Sequence, residues 1–477
     1  MRHDEAVSLF TRVAGDEHAY DQGAIAGVVR MCGYLPLAIQ LAGSRLRHHP
    51  SWGITDLASR LSRSQHRLSE ISAGDREIAG SLELSYRYLM SEHKQLFRQL
   101  ALHPGTDFSV YTAAAAAGNV SLAATEQALD ALLDHYLLEE RGPGRFAFHD
   151  LIREYAYRLS LLEDSEPDRR RVVHRMLDYY LCLADRADRI VYPFHRRMDA
   201  QPTYVPANMP PLNTPDYSRK SIEVERANIL RIMHYAARHG WPVHAGLLPH
   251  VLAQFLDTWG CWEDAATAHR LAVRTWREVP DRAGEARALT ELCFTLSRTG
   301  GYAEALRCAH DALSIFRGQG DRGGEAEILD CMGLVLWQSS HYDEALSRHD
   351  EALAIWRSIH DRHGEADALG HGAFPLWHTS RYEDGLKRLK QALAVYQEIG
   401  DKRGEGNSLI NIADFQQHLG YHDEAFDHYR QALIIFRDIG NRQGEAIMFN
   451  NIGNLCQRAG RYDESLKHYR NATTVRI

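Results

Sequence analysis

The residues of this 477-residue chain that could do chemistry are a glycine-rich turn, a histidine pair, scattered cysteines and a row of asparagines. Gly400-Asp-Lys-Arg-Gly-Glu-Gly406 has the glycine density of a phosphate-binding loop. No Lys-Ser/Thr follows its last glycine and no strand precedes it, so it reads as a turn. His418 and His422 are four apart, a spacing at which two imidazoles on one helix can share a metal, yet a Gly-Tyr turn separates them. The seven cysteines (Cys32, Cys182, Cys261, Cys293, Cys308, Cys331 and Cys456) never form a CxxC pair, the pattern of reduced, buried thiols in a cytoplasmic protein. No nucleophile and base are legible together and no G-x-x-x-x-G-K-[ST] occurs, so the chain reads as a non-enzyme with no metal site. What remains is the asparagine row, Asn407, Asn411, Asn451 and Asn454. An amide offers donor and acceptor together, so such a row can hold a peptide backbone without dictating its sequence.

The elements that must position this row are repeats. Asp281, Asp321, Asp361, Asp401 and Asn441 each open an Asp/Asn-x-x-Gly-Glu turn, 40 residues apart. A second mark follows about 20 residues later, as in Tyr302-Ala-Glu-Ala-Leu306 and Tyr342-Asp-Glu-Ala-Leu346. Self-similarity at this period means stacked supersecondary units. Each unit reads as two antiparallel helices, with the Asp/Asn as N-cap and Glu285, Glu325, Glu365, Glu405 and Glu445 in the first turn. One column stays small (Cys293, Gly333, Ala373, Ala413, Gly453), which lets helix backbones approach closely. This is the tetratricopeptide pattern, and the resemblance covers roughly residues 261–477.

The face those columns leave free is the candidate partner groove. Its early part is apolar with charges beside it: Phe294, Arg298, Leu334, Phe374 and His378, with Arg287, Glu327 and Asp367 at the helix starts. Its later part is polar: Asn407, Asn411, Asp414, His418, Asn451, Asn454 and Arg458. A protein or peptide is the expected occupant. The last unit carries no polar capping helix, which points to self-association or a further lobe there.

The N-terminal part is organised differently. Residues 1–70 read as helices, with a joint at Cys32-Gly-Tyr-Leu-Pro36 inside an apolar run from Ile25 to Arg47. Over 75–162 the expected order is four helices (the first over Ile78 to Leu89), a hairpin from Tyr136-Leu-Leu-Glu139 to Arg145-Phe-Ala-Phe148, and a helix from Leu151, as in a winged helix. The helix before the hairpin and its exit carry Glu126, Asp130, Asp134, Glu139 and Glu140, the wrong charge to face DNA phosphates. Residues 163–220 are expected to be a long helix followed by a proline-rich linker, Tyr192 to Ser218, with the repeat superhelix over 221–477.

Gly33-Tyr-Leu-Pro-Leu37 resembles the Gly-Leu-Pro-Leu motif of the NB-ARC signal-transduction NTPases, and Phe148-His149-Asp150 is similar to their Met-His-Asp motif. With the helical repeats behind them, the motifs resemble the actinobacterial antibiotic-regulator family, which joins NB-ARC to tetratricopeptides. The resemblance implies that Pro36 packs against adenine and His149 reaches the β-phosphate of ADP. It also implies a P-loop lobe that this sequence does not contain, so hydrolysis would need that lobe in trans. The expectation is a mainly α regulatory protein in signal transduction and transcription control. Its helical lobe and winged helix would form a partial, ADP-type switch coupled to a partner-binding tetratricopeptide arm. The alternative is a plain tetratricopeptide scaffold with no nucleotide role.

Composition bounds the rest. No run approaches the ~20 apolar residues of a bilayer span, and Met1-Arg-His-Asp-Glu5 begins no secretory signal. The net charge of −8 disfavours nucleic-acid binding as the main work of the chain.

Overall fold

The computed structural model describes residues 1–15, 22–34, 51–63, 89–118, 120–135, 137–199 and 201–476, with positions 36, 39, 42, 43, 46, 47, 86 and 87. Leu35, Leu37 and nearly all of the helix expected over Ile78 to Leu89 lie outside the described residues. The chain divides into two units. One comprises Met1–Leu183, Gln201–Pro211 and Val224–Ile232; the other comprises Ala184–Ala200, Leu212–Glu223 and Met233–Ile477. The stretch 163–220, expected as one joint, is thus shared between them.

In the first unit, α1 (His3–Ala14), α2 (Gln22–Met31) and α3 (Ile54–Arg63) bury Phe10, Ile25, Val29, Cys32 and Leu57 in one core, with Leu151 added from a later helix. The expected run from Ile25 is cut at Met31 because Gly33 and Tyr34 take left-handed backbone, φ 62° and 59°. Burial pushes the Cys32 thiol up to about 12, so it serves as packing and not as a nucleophile.

The order then runs α4 (Ser91–Leu100), β1 (Phe108–Ser109), α5 (Val110–Ala117), α6 (Leu122–Asp134), β2 (Glu139–Gly142), β3 (Arg145–Ala147) and α7 (Asp150–Glu163). The three strands form an antiparallel sheet in the order β1-β3-β2. The hairpin's first strand starts at Glu139, with Leu137 and Leu138 buried in the core before pairing begins; Tyr136, where the sequence expectation started it, lies outside the described residues. Strand β1 has only two residues, too few to show an alternation in sequence. The Arg145 guanidinium bridges Asp107 and Glu225, fixing the hairpin base to the 224–232 segment of the same unit.

Helix α8 covers Glu166–Val191 and α9 covers Pro215–Arg238. The loop between them ends at Thr214, four residues before the expected Ser218. Thr214 accepts a bond from the Tyr217 N–H at 3.2 Å, and Pro215 sits at the first helical position, where a missing N–H costs nothing.

The second unit is a stack of helix pairs. α10 (Pro242–Thr258) and α11 (Trp262–Glu278) precede α12 (Arg282–Arg298) with α13 (Tyr302–Gln319), and α14 (Arg322–Gln338) with α15 (Tyr342–Ser358). Next come α16 (Arg362–His371) and α17 (Ala373–His378) with α18 (Tyr382–Ile399), then α19 (Lys402–Leu419) with α20 (His422–Asp438), and α21 (Arg442–Arg458) with α22 (Tyr462–Arg476). Every cap works as the sequence implies. Asp281, Asp321, Asp361, Asp401 and Asn441 each accept from the glycine N–H three residues on, at 2.9–3.0 Å.

Those glycines have a second reason to be glycine. A Cβ on Gly284, Gly324, Gly364, Gly404 or Gly444 would run into the ring of Trp276, Phe316, Trp356, Tyr396 or Phe436 from the preceding helix. The first-turn glutamates also do more than face the helix dipole. Glu285, Glu325, Glu365 and Glu445 accept from Arg277, Arg317, Arg357 and Arg437 of the helix before, at 2.7–3.0 Å, and Gln397 takes that place at Glu405.

The third unit departs from the two-helix expectation. Its first helix breaks at Gly372 because Pro375 lacks the N–H that would reach the His371 carbonyl, and its ring crowds that oxygen. Three non-glycine residues, Ser340, His360 and Ser380, close inter-helix turns at φ 58–68°. Ser340→Gly and Ser380→Gly should each raise stability by roughly 1 kcal/mol in urea unfolding, since a left-handed side chain costs ~1–2 kcal/mol. Unchanged or lower midpoints would show these turns to be unstrained.

Candidate binding groove

The second unit holds two cavities on the face formed by α12, α14, α16–α17 and α19, with Arg458 of α21 at the margin. Their volumes are about 490 and 380 Å³. Trp337, Phe374 and Asn411 line both, so the two are one continuous groove. The larger cavity takes in Phe374, His378, Asn411, Asp414, His418 and Arg458 from the sequence expectation. The smaller takes in Phe294, Arg298, Leu334, Phe374, Asn407 and Asn411. Asn451 and Asn454 line neither; Asn454 instead accepts the Tyr469 hydroxyl at 2.7 Å within its own helix pair.

Much of the groove's aromatic wall, Trp337, Trp377 and Phe415, was not among the expected residues. Trp337 stacks on Phe374 at 5.0 Å, and Trp377 meets Phe415 edge-on at 4.7 Å. His418 packs on Trp377 at 4.7 Å and on Tyr382 at 4.4 Å, so it is an aromatic contact and not half of a metal pair. The Trp337 indole N–H and the Gln338 carbonyl oxygen are buried beside the groove with no hydrogen-bond partner among the described residues. Such orphans cost roughly 1–3 kcal/mol each until something pairs with them.

Charge is fixed in the smaller cavity by a buried carboxylate. Asp330 accepts from His349 Nδ1 at 2.6 Å and from His371 Nδ1 at 2.5 Å. Burial lowers the His371 pKa, but the Asp330 charge and its hydrogen bond outweigh this and push it up to about 9, so His371 faces the cavity as a cation. Asp330 is held well below the usual carboxylate range: burial opposes ionisation, and the two histidines overcome it. Arg298 adds a second cation, lying over Phe294 at 5.0 Å and pairing with Asp257 at 3.4 Å. The charges expected at the helix starts are mostly spent internally. Arg287 is buried and paired with Glu327, and Asp367 is paired with His363 at 3.2 Å and accepts the Tyr396 hydroxyl.

A second histidine cluster has the look of a metal site. His195, His250 and Glu291 bring ligand atoms within 4.8 Å of one another. His250 Nε2 accepts the Met198 N–H at 3.0 Å, which leaves its proton on Nδ1, donated to Glu291. A metal at Nδ1 would require the imidazolate, so the cluster is a satisfied hydrogen-bond relay and does not fit an ion.

In the first unit the two motif stretches meet. His149 caps α7, its Nδ1 accepting the Leu151 N–H at 3.4 Å. Its Nε2 therefore carries the proton and donates to the Gly33 carbonyl. A Cβ at Gly33 would overlap the imidazole ring. Pro36 lies in a helical position and is exposed. Both nitrogens of His149 are thus engaged, and His149 as placed has no free donor for a phosphate.

Paired helices, capped turns and small-residue columns at a 40-residue period define the second unit as a tetratricopeptide-type helical solenoid. The tetratricopeptide repeat family matches residues 373–438 and 404–477. The chain is similar to Regulatory protein AfsR of Streptomyces griseus, at 33% identity over 321 residues, covering 66% of this chain and 32% of that protein. It is also similar to Regulatory protein AfsR of Streptomyces coelicolor, at 39% identity over 214 residues, covering 43% of this chain and 21% of that protein. The chain therefore spans a third or less of the length of these curated relatives. Among solved structures, a Signal Transduction ATPase with Numerous Domains carrying a tetratricopeptide repeat sensor, from Pyrococcus horikoshii, matches at TM-score 0.40 and 17% identity. That match covers 100% of this chain and 69% of that one. No helix among the described residues is long and apolar enough to cross a membrane.

Proposed function

We propose that this chain is the partner-binding part of a regulatory protein, and that it acts by holding a peptide or protein segment in the Trp337–Phe374–Asn411 groove. The observation that carries this reading is the continuous lining itself: the stacked Trp337 and Phe374 rings and the Asn411 amide are shared by both cavities, an apolar platform beside a combined donor and acceptor. The AfsR similarity supports the regulatory role, and the groove supports binding in preference to catalysis. The helix-and-hairpin block from Ser91 to Ala147 reads as a winged helix, and its acidic exit suits contacts within the protein. A random peptide library displayed on phage and selected on the full chain tests the groove. Selected peptides should lose at least ten-fold in affinity on Trp337→Ala and on Asn411→Ala, since truncating an anchor typically costs ~2 kcal/mol. Selection of peptides indifferent to both substitutions would overturn the assignment.

The nucleotide reading meets an obstacle in the His149–Gly33 contact. Calorimetry with ADP is expected to give no heat on this chain. Heat that disappears in His149→Ala would restore the ADP-type switch.

A further inference from the structure

The segment after α8 lies across the repeats in a way that neither motif nor groove accounts for. Arg403, His363 and Gly323 occupy the same register position in three successive units, at the first turn of α19, α16 and α14. Each is met by an alternate residue of one short segment of the same unit. The Arg403 guanidinium lies over the Tyr192 ring at 5.2 Å. Phe194 stacks on the His363 imidazole at 4.8 Å with an interplanar angle of 11°. Arg196 pairs with the cap Asp321 at 2.8 Å and covers Gly323, where a Cβ would run into the guanidinium. The odd residues face the other way: His195 and Arg197 both reach Asp188 at the end of α8. The even side chains therefore read one repeat each, with chain direction opposite to repeat order.

We propose that the first turns of these helices form a peptide-recognition lane separate from the open groove, filled in cis by Tyr192–Met198. Its partner in trans is a segment that displaces Phe194 and Arg196, carrying an aromatic and a guanidinium side chain two residues apart. The contacts of Phe194 and Arg196 suit displacement, since both are more than a third exposed and half-open packing is given up at little cost, whereas Tyr192 is buried against Phe255, bonded to Thr258 and anchors the segment. The lane also communicates with the groove, because His363 under Phe194 is paired with Asp367, which lines the smaller cavity. Emptying the lane frees one face of His363 and loosens that wall.

This extends the reading of the arm as a peptide-holding surface, and the two can fail separately. A fluorescein-labelled synthetic peptide of residues 190–199 is titrated by anisotropy onto the full chain and onto its Phe194→Ala/Arg196→Ala variant. A tethered segment competes at millimolar effective concentration, so the variant should bind the peptide at least ten-fold more tightly than the wild type. Adding His363→Ala should remove that gain, and adding Trp337→Ala should leave it intact. Equal binding to wild type and variant, or binding to neither, overturns the lane. Should the double variant melt early by circular dichroism, His363→Ala alone decides: trypsin should cut after Arg196 and Arg197 several-fold faster than in wild type, and an unchanged rate overturns the proposal. Loss on Trp337→Ala with no effect of His363→Ala would place the peptide in the groove and dismiss the lane.

Discussion

Replacing Asp330 by alanine is expected to lower the stability of the repeat unit by roughly 3–5 kcal/mol, the usual result of stripping one partner from a buried ion pair. The side chain is held between the fully buried His349 and the groove-facing His371. Without the carboxylate, His371 must lose its proton or remain a poorly compensated cation, and His349 loses its Nδ1 acceptor. Urea unfolding of the full chain followed by far-UV circular dichroism should show the repeat transition moved to lower denaturant; a midpoint within 0.5 kcal/mol of wild type would contradict the pairing.

The same cluster fixes a pH dependence. His371 is raised to about 9 from an ordinary ~6.5, so its contribution is complete below about pH 6.5 and is lost as pH rises through about 9. His363, raised to about 10 by Asp367 and Asp401 against the opposing effect of burial, adds to the same alkaline loss. Asp330 is depressed, so its contribution is present above about pH 4 and is lost as pH falls below that. Thermal midpoints should therefore decline between pH 7 and pH 10, and Asp330→Ala should flatten the His371 part of that decline while leaving the His363 part.

The second large effect is expected at Gly33. Alanine there meets two penalties: a left-handed backbone at φ 62°, costing ~1–2 kcal/mol, and overlap with the His149 ring, costing ~1–3 kcal/mol. A loss of about 3 kcal/mol in the first unit should follow, read as faster hydrogen exchange in α1, α2 and the start of α7. The overlap part is separable, because His149→Ala removes the ring. The double variant should recover about 1 kcal/mol or more relative to the sum of the single changes. Strict additivity would mean that the two residues do not touch.

The repeats were legible because their signals are local and recur. A cap, a glycine and a first-turn glutamate at fixed offsets need no tertiary knowledge, and Asp281 through Asn441 all cap as read. What escaped the sequence depends on neighbours. The glycine of each turn looks like a turn requirement until Trp356 or Phe436 is seen lying on it. His371 looks like one histidine among 27, and only Asp330 from the preceding unit makes it a charge facing the groove. Pro375 broke α16 from α17 in plain view, yet the repeat's strong periodicity masked it. Trp337 and Trp377 were visible at the 40-residue spacing, but the column they share with Ser297 and Gln417 has no common chemistry to draw attention. Pairs such as Gly33 with His149 lie 116 residues apart, and no periodicity connects them.

The central claim is that a peptide sits on the first-helix face between Trp337 and Asn411. Hydrogen–deuterium exchange on the full chain with and without a library-selected peptide locates it directly. The expected result is added protection confined to 322–338, 362–378 and 402–418, together with the facing turn of α12. Protection appearing instead on the second helices, 342–358 and 382–399, with the first helices unchanged, would contradict it.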